Sequence, residues 1–167
     1  MNRIKKYFTL FIINNFLSCT RFFNIKRRLL LWSGIEVGEN SKIVGPLKFG
    51  NQIKITIGKN CWIGKGLNLD GNGEVIIGDN VDIAPHVTFN TGGHYIGTKE
   101  RRAGEGIVTK IEVGNGTWIG TRALIINNTK INDGCVIAAG SVVNKGINKD
   151  TLVAGVPAKL IKNLNIV

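Results

Sequence analysis

Branched aliphatic residues recur at intervals of six positions along most of this sequence, from residue 35 onward. The register shifts by two residues between Ile55 and Ile57 and again between Val75 and Ile77, and then continues. A period of six fits neither the 3.6-residue turn of a helix nor the simple alternation of a half-buried strand. It indicates short strands separated by tight turns, with three such units closing one triangular coil. The series comprises Val37, Ile43, Phe49, Ile55, Ile57, Ile63, Leu69, Val75, Ile77, Ile83, Phe89, Val113, Ile119, Ile125, Ile131, Ile137 and Val143.

The turns between these units carry their own signature. Asparagine recurs every twenty residues in Val/Ile-Gly-x-Asn turns, at Asn40, Asn60 and Asn80. One coil cannot bury its apolar face alone, so several coils must stack and hydrogen-bond to each other as parallel sheets. We therefore predict a mainly β protein, a parallel β-helix of about five coils within residues 35–150. An ordinary β-sandwich is disfavoured, because it would not keep one six-residue register over this length.

A long insertion, residues 91–109, interrupts the repeat. A loop of this length inside a regular solenoid usually carries function. It contains His94 directly after two glycines, which permit close approach of the backbone to a ligand. Imidazole titrates near neutral pH, so His94 is a candidate general base. The only other histidine, His86, falls in a regular turn and is predicted to be an exposed corner residue.

Positive charge is concentrated at the N-terminus. The net charge is +11, and residues 1–34 hold seven Lys/Arg and no acidic residue. Residues 35–167 hold the other fifteen basic residues against eleven acidic ones. Nucleic-acid binding is disfavoured, because the charge sits in an apolar segment without a polar, arginine-spaced reading surface.

This N-terminal segment, residues 1–34, is predicted to be a helical arm. Its longest uncharged run, residues 7–20, is too short and too polar for a membrane-spanning helix. A signal peptide is disfavoured because no clear small-x-small cleavage site follows. We expect one or two helices with Ile4, Tyr7, Phe8 and Phe11 on one face. Three interpretations stay open for the arm: packing on the protein's own body, burial in a partner subunit, or contact with a membrane surface.

The repeat and the interruption resemble the hexapeptide-repeat acyltransferases, in particular sugar and polysaccharide O-acetyltransferases of the maltose and galactoside type. The resemblance covers about residues 35–163 and implies a left-handed parallel β-helix. In that family the catalytic histidine falls on His94. Tyr95 departs from the pattern, since the sugar enzymes have proline there, and the serine acetyltransferase signature is absent. The matching motifs are Ile77-Gly78-Asp79-Asn80-Val81, Thr91-Gly92-Gly93-His94, Thr117-Trp118-Ile119-Gly120 and Gly155-Val156-Pro157-Ala158-Lys159.

The resemblance implies an acetyl-CoA-dependent O-acetyltransferase that acts on a hydroxyl of a sugar or polysaccharide precursor. His94 would be the general base of a direct transfer without an acyl-enzyme. Cys61 and Cys135 occupy inward repeat positions and are interpreted as small core residues rather than nucleophiles. No metal is expected, because the chain has only two histidines and its three cysteines are scattered.

Polar residues near the base of the loop are candidates for the acceptor side of the site. Asp70 precedes Asn90 by twenty residues, one coil, so the two are expected to stack on the outer face. Asp70 is predicted to orient His94 or the acceptor. Asn68, Asn72 and Asn90 are predicted to bind the acceptor.

The donor site is predicted at the C-terminal side. The resemblance implies that the segment 151–167 covers coenzyme A with an extended strand and a proline-started turn or short helix. Lys159 and Lys162 would lie on one face of that helix and meet the phosphates of the coenzyme. The resemblance also assigns the indole of Trp118 and the backbone at Thr121 and Ala139 to this groove.

Other functions stay open at this stage. N-acetylation of an amino-sugar nucleotide would use the same fold and base, and a non-catalytic β-helix scaffold would use neither substrate. The resemblance further implies a homotrimer. We expect a cytoplasmic protein, peripheral at the inner face of the membrane if the arm binds lipid, with an acceptor that is soluble or linked to a lipid carrier.

Overall fold

The computed structural model of this protein describes residues 3–164, which form a parallel β-solenoid preceded by two helices. The helices are α1 (Arg3–Phe16) and α2 (Phe23–Trp32), as the arm was predicted to contain. The first two residues of the arm and the last three of the C-terminal segment lie outside the described residues.

Three sheets wall the solenoid, and their strands follow one another around each turn. The first sheet holds β1 (Glu36–Val37), β4 (Lys54–Ile57), β7 (Glu74–Ile77), β12 (Lys110–Val113) and β15 (Lys130–Ile131). The second holds β2 (Lys42–Ile43), β5 (Trp62–Ile63), β8 (Asp82–Ile83), β13 (Trp118–Ile119), β16 (Val136–Ile137), β18 (Thr151–Ala154) and β19 (Lys159–Asn163). The third holds β3 (Leu47–Phe49), β6 (Leu67–Asp70), β9 (Thr88–Asn90), β14 (Leu124–Ile126) and β17 (Val142–Val143).

The six-residue series forms the core, as the sequence predicts. In the second sheet Ile63, Ile83, Ile119 and Ile137 pair in register on successive turns, and all four are fully buried. Side chains of successive strand residues alternate between the faces, so the intervening residues point to solvent. Stacking of one apolar side chain per turn in each column fills the interior of the solenoid.

The asparagine turns also form a column. Asn40, Asn60 and Asn80 adopt left-handed backbone angles, with φ of 59°, 55° and 56°. Asparagine tolerates this conformation better than other residues with a side chain. The Asn40 amide donates to Asn60 at 3.2 Å, and Asn60 donates to Asn80 at 3.3 Å.

The C-terminal segment differs from the prediction, because it is a β-hairpin and the expected short helix is absent from the described residues. β18 pairs with β16 and begins a further turn, so the solenoid has about six turns rather than five. Gly155, with φ of 102°, lets the chain reverse, and β19 returns antiparallel to β18. Between the strands, Ala158 is buried and its N–H donates to the Val142 carbonyl at 2.8 Å. Pairing with the open edge of β18 therefore outweighs the helix-start preference of Pro157.

The arm packs on the protein's own body through one face of each helix. Leu10, Ile13 and Leu30 join the core of the solenoid. Neither α1 nor α2, the helices found in residues 3–164, has the length and apolarity needed to cross a bilayer.

Side chains of the arm also close the open edge of the first coil. The Asn14 amide donates to the Leu47 carbonyl at 2.8 Å and accepts from the Leu47 N–H at 2.7 Å. The Arg27 Nε donates to the carbonyls of Val37 and Gly38 at 3.0 and 2.9 Å. These bonds replace the ones that a preceding coil would make, because an uncovered strand edge leaves its backbone groups unpaired.

Candidate active site

The interrupting segment is a β-hairpin that projects from the corner between the third and the first sheet. β10 (Gly92–Ile96) pairs antiparallel with β11 (Ala103–Val108). Thr91 anchors its base: the Thr91 hydroxyl donates to the Asp70 carbonyl at 3.1 Å and accepts from the Gly73 N–H at 3.0 Å. A β-carbon at Gly73 would lie 1.9 Å from the Thr109 carbonyl oxygen, so the hairpin base fits only against glycine. The hairpin is thus rigidly tied to the coil beneath it.

His94 lies on β10, opposite Gly106. Its Nδ1 is 2.8 Å from the carbonyl oxygen of Gly104. A carbonyl oxygen only accepts, so Nδ1 carries the proton and Nε2 keeps a free lone pair. The ring is exposed, so Nε2 is accessible to a substrate hydroxyl. This arrangement is the one that a general base requires.

Three of the polar candidates lie together at the foot of the hairpin. Asp70 and Asn90 are register partners on adjacent strands of the third sheet, as predicted. The Asn68 amide nitrogen donates to the Asp70 carboxylate at 2.6 Å, and Asn90 accepts from the Gly92 N–H at 2.9 Å. The Asn68 side-chain oxygen is buried and has no hydrogen-bond partner among residues 3–164. An unpaired buried carbonyl is costly, so it is a natural acceptor for a ligand hydroxyl.

The alternation along β10 assigns a side to each of its residues. A β-carbon at Gly92 would face Asn90 at 3.5 Å, and His94, two residues on, shares that face. Tyr95 points to the opposite face. The histidine therefore lies on the side of the Asp70 cluster, although the two groups are not in direct contact through any hydrogen bond of the structure.

Asn72 is separated from this cluster. It is exposed and lines a cleft of about 600 Å³ on the other side of the hairpin. Beside Asn72, the cleft is lined by the hairpin residues Tyr95, Ile107, Val108 and Thr109 and by the polar side chains of Lys54, Glu74, Lys110 and Asn128. Sequence reasoning missed these charged residues, although Lys54 and Glu74 occupy the same position on successive coils.

The charges in the cleft are largely paired. The Lys110 ammonium lies 2.8 Å from Glu112 and 3.7 Å from Glu74. The hydrogen bond to Glu112 raises the pKa of Lys110, and the same bond lowers the pKa of Glu112. Lys54 pairs in register with Glu74 on the next turn. Positive and negative side chains thus alternate from coil to coil on the outer face of the first sheet, in the order Lys54, Glu74, Lys110, and form no patch of one sign.

The predicted donor residues lie on the second sheet and its turns. Trp118 is half-exposed and pairs in register with Asp82 and Val136. Thr121 and Ala139 occupy exposed turns, and the Thr121 hydroxyl donates to the Pro85 carbonyl at 2.7 Å.

Lys159 and Lys162 share one face, although not for the predicted reason. Lys159 is opposite Ala154 and Lys162 is opposite Leu152, with a bulge between these pairs. Opposed residues of an antiparallel pair lie on the same face, and positions 152 and 154 both face outward. The bulge therefore brings the two exposed lysines to the outer face of the hairpin.

The cysteines do not contribute to this surface. Cys61 and Cys135 are buried, and desolvation raises the pKa of both thiols, which opposes formation of a nucleophilic thiolate. All three cysteines are free. No group of three or more His, Cys, Asp and Glu side chains in residues 3–164 is placed to hold a metal ion.

Comparison with known proteins points to one family. Residues 110–145 match the family described as bacterial transferase hexapeptide (six repeats). The galactoside O-acetyltransferase of Escherichia coli (strain K12) is 39% identical over 129 residues, 77% of this chain and 64% of that protein. A putative acetyltransferase of Schizosaccharomyces pombe is 31% identical over 143 residues, 84% of this chain and 69% of that protein. This chain thus spans less than two thirds of the length of the Escherichia coli relative.

The fold has solved counterparts. The hexapeptide-repeat-containing acetyltransferase of Vibrio cholerae superimposes with a TM-score of 0.83 at 29% identity, over 98% of this chain and 91% of that one. A second crystal structure of that protein contains acetyl coenzyme A and gives a TM-score of 0.81 at 28% identity. The likeness includes the two helices as well as the solenoid, and it confirms the predicted left-handed parallel β-helix.

Proposed function

This chain belongs to the hexapeptide-repeat acyltransferases, and from that premise we propose that it transfers an acetyl group from acetyl-CoA to a hydroxyl of a saccharide. One observation carries the proposal: the single histidine of the interrupting hairpin has its Nδ1 fixed as a donor to Gly104 and its Nε2 free. The galactoside O-acetyltransferase relative and the acetyl-CoA complex of the Vibrio cholerae protein support the choice of substrates.

His94 acts as the general base. Its Nε2 accepts the proton of the attacking hydroxyl as the oxygen adds to the thioester carbonyl. The resulting imidazolium keeps its Nδ1–H bond to Gly104, so the ring does not have to reorient. It then returns the proton to the departing sulfur, which leaves acetyl ester, coenzyme A and neutral histidine. Positioned acid–base groups of this kind contribute about 10²–10⁴ in rate.

The acceptor binds at the foot of the hairpin. The Asp70 carboxylate accepts from one sugar hydroxyl, and the buried, unpaired oxygen of Asn68 accepts from another. The Asn68–Asp70 hydrogen bond orients both groups before the acceptor arrives. Asn90 is held by the Gly92 amide, which makes it a positioning residue for the start of β10 as well as a candidate acceptor contact. Asn72 contacts the more distant part of an extended acceptor from its own side of the hairpin.

The donor binds along the second sheet. Lys159 and Lys162 pair with the phosphates of coenzyme A, and the extended pantetheine arm runs past the exposed turns of Thr121 and Ala139. The Trp118 indole packs against the donor in this groove. Alignment of the thioester with His94 is the contribution of the protein, since the coenzyme supplies the activated acetyl group.

The working unit is a homotrimer. The hairpin leaves Tyr95, Ile96 and Val108 exposed by 63%, 88% and 65%, and a neighbouring subunit would cover them. Threefold cyclic packing closes such a set of contacts. We place the enzyme in the cytoplasm, where acetyl-CoA is available and three free cysteines stay reduced. Its acceptor there is a saccharide precursor linked to a lipid.

A release assay tests the proposal. The protein is incubated with acetyl-CoA and a panel of saccharides, and coenzyme A is quantified with a thiol reagent after correction for the half-buried Cys19. Release that requires a saccharide and is lost in His94→Ala supports O-acetylation. Release with amino sugars alone identifies an N-acetyltransferase, and no release with any acceptor identifies a scaffold. Sedimentation at the assay concentration tests the trimer, which a fully active monomer would contradict.

A further inference from the structure

The N-terminal arm has two faces with different tasks: the inward one packs on the solenoid, and the outward one is largely exposed, with the Tyr7 hydroxyl donating to the Asn51 side-chain oxygen. On α1 the residues that point inward, Lys6, Thr9, Leu10 and Ile13, are all buried. The opposite stripe of the same helix is exposed and apolar. We call the inward face, which covers the open edge of the first coil, the cap. The arm can bind a partner through its outward face while the cap stays in place.

The inward face fixes the arm firmly. Besides the bonds of Asn14 and Arg27, the Lys6 ammonium donates to the Gly50 carbonyl at 2.5 Å. The Lys26 ammonium donates to the Cys19 carbonyl at 2.6 Å and lies 4.8 Å from the Phe23 ring. Three of the seven basic residues of the arm, Lys6, Lys26 and Arg27, thus donate to backbone carbonyls of the protein itself.

The outward face is continuous across both helices. The Phe8 and Trp32 rings meet edge-on with centroids 6.2 Å apart, which joins α1 to α2. The Lys5 ammonium lies over the Trp32 ring at 4.8 Å. Six aromatic side chains on this surface are each between 49% and 68% exposed: Tyr7, Phe8, Phe11, Phe16, Phe22 and Trp32. We call these six, together with the basic residues Arg3, Lys5, Arg21 and Arg28, the outer arm surface.

We propose that the outer arm surface docks on an anionic lipid bilayer while the arm stays folded as the cap. Half-buried aromatic rings partition into the interfacial region, and clustered basic residues are attracted to anionic headgroups. Residues 1–34 contain no acidic residue, because the first acidic residue of the chain is Glu36, so the net charge of the arm is positive.

Charge disfavours a second copy of this chain as the occupant. A twofold contact through the same surface would bring four basic residues against four others. The rest of the chain, residues 35–167, is itself basic, with fifteen basic against eleven acidic residues, so it offers no strongly acidic counterpart. A bilayer of anionic lipid supplies both the apolar interior and the opposite charge.

Vesicle co-sedimentation of the full chain tests the proposal without reference to catalysis. At low salt we expect binding to vesicles of phosphatidylglycerol and phosphatidylcholine, and at least tenfold weaker binding to phosphatidylcholine alone. Arg21→Glu with Arg28→Glu should weaken binding at least tenfold, whereas Lys59→Glu with Lys65→Glu, the same charge change on exposed solenoid turns, should not. Phe8→Ser with Phe11→Ser should weaken it similarly, and Val156→Ser with Leu160→Ser should not.

Tryptophan emission locates the contact. Anionic vesicles should shift the emission to shorter wavelength, and the shift should vanish in Trp32→Phe but persist in Trp118→Phe. The proposal is overturned if the wild-type chain ignores anionic vesicles at low salt, if the control pairs lose binding equally, or if the shift follows Trp118. A change of oligomeric state in Phe8→Ser with Phe11→Ser, without vesicles, would overturn it in favour of a subunit interface. If the wild-type protein binds anionic vesicles but transfers no acetyl group to any acceptor, the proposed function is refuted and the docking proposal stands.

Discussion

The Nδ1 of His94 lies 2.8 Å from the carbonyl oxygen of Gly104, on the facing strand of the hairpin. This bond selects the tautomer of the ring without any second ionisable residue. The Gly104 carbonyl orients the ring as a neutral acceptor, whereas a carboxylate in its place would add a negative charge to the site. The hairpin therefore builds the base and its orienting group from one local segment.

His94→Ala should lower turnover by about 10²–10⁴, because the hydroxyl loses its proton acceptor. His94→Gln should fall almost as far, since it cannot accept a proton at neutral pH. Steady-state coenzyme A release gives the rates, and far-UV circular dichroism checks the fold. Lys99→Ala, at the exposed tip of the same hairpin, is the matched control and should stay near wild type. Turnover of His94→Ala within a few-fold of wild type would disprove the assignment.

Asp70→Asn should raise the acceptor KM at least tenfold and leave the acetyl-CoA KM unchanged. The substitution keeps the shape of the side chain but removes its charge, which weakens its bonds to sugar hydroxyls. Asn68→Ala should act in the same direction, because it removes both the Asp70 contact and the unpaired oxygen. Thr88→Ala, at the register partner of Asn68 on the next coil of the same sheet, serves as the control. Equal effects on both KM values would indicate a structural role instead.

Lys159→Glu combined with Lys162→Glu should raise the acetyl-CoA KM about tenfold or more, by replacing attraction to phosphate with repulsion. A truncated donor, S-acetylpantetheine, lacks the phosphates that the lysines would meet. Its KM should be the same for the variant and the wild type. Lys145→Glu with Lys149→Glu changes the charge equally on exposed turns and should alter neither donor. If both donors weaken together, the lysines do not bind phosphate.

Much of the fold follows from the sequence because each coil repeats the same requirement. A triangular coil needs an aliphatic residue at each inward position. The spacing of Ile63, Ile83 and Ile119 therefore indicates the register of the six-residue repeat from this one sequence. The interruption is equally visible, since a break in a strict period needs no knowledge of side-chain contacts. The sequence thus predicts both the solenoid and the place of His94.

The contacts that the sequence did not predict are made to backbone atoms. Every residue has the same backbone groups, so residue types do not indicate which of them will be bound. The Gly104 carbonyl that orients His94 and the Leu47 backbone that Asn14 binds could not be read from residue types. The C-terminal error has the same origin. Pro157 favours a helix start locally, but the unpaired edge of β18 favours a returning strand, and only the fold reveals that edge.

The stability of the protein should respond to alkaline pH through its buried thiols. Burial raises the pKa of Cys61 in the folded state, so its stabilising contribution is complete below the ordinary thiol pKa of about 8.5 and is lost as pH rises through the folded value. Denaturant unfolding between about pH 8 and 10 should therefore show a steeper loss of stability in the wild type than in Cys61→Ala. The pKa of Lys6 and of Lys26 is lowered by burial, which acts in the opposite sense and is common to both proteins. Parallel pH profiles would contradict the prediction.

The hydrogen bonds between Asn14 on α1 and Leu47 in the first coil allow a direct test of what the arm contributes to the free energy of unfolding. Asn14→Leu leaves the buried Leu47 N–H and carbonyl without partners, which should cost about 2–4 kcal/mol. Asn15→Leu, one residue along the same helix, loses only an exposed bond to the Phe11 carbonyl and should change stability by less than about 0.5 kcal/mol.

The position of the loss matters as much as its size. Each turn of a solenoid contacts only its neighbours, so damage at one end should stay local. In Asn14→Leu, amide hydrogen exchange should accelerate in residues 42–57 and remain at the wild-type rate in residues 124–143. Uniform acceleration along the chain would mean that the solenoid unfolds as a single unit. No acceleration at residues 42–57 would mean that Asn14 does not stabilise the first coil.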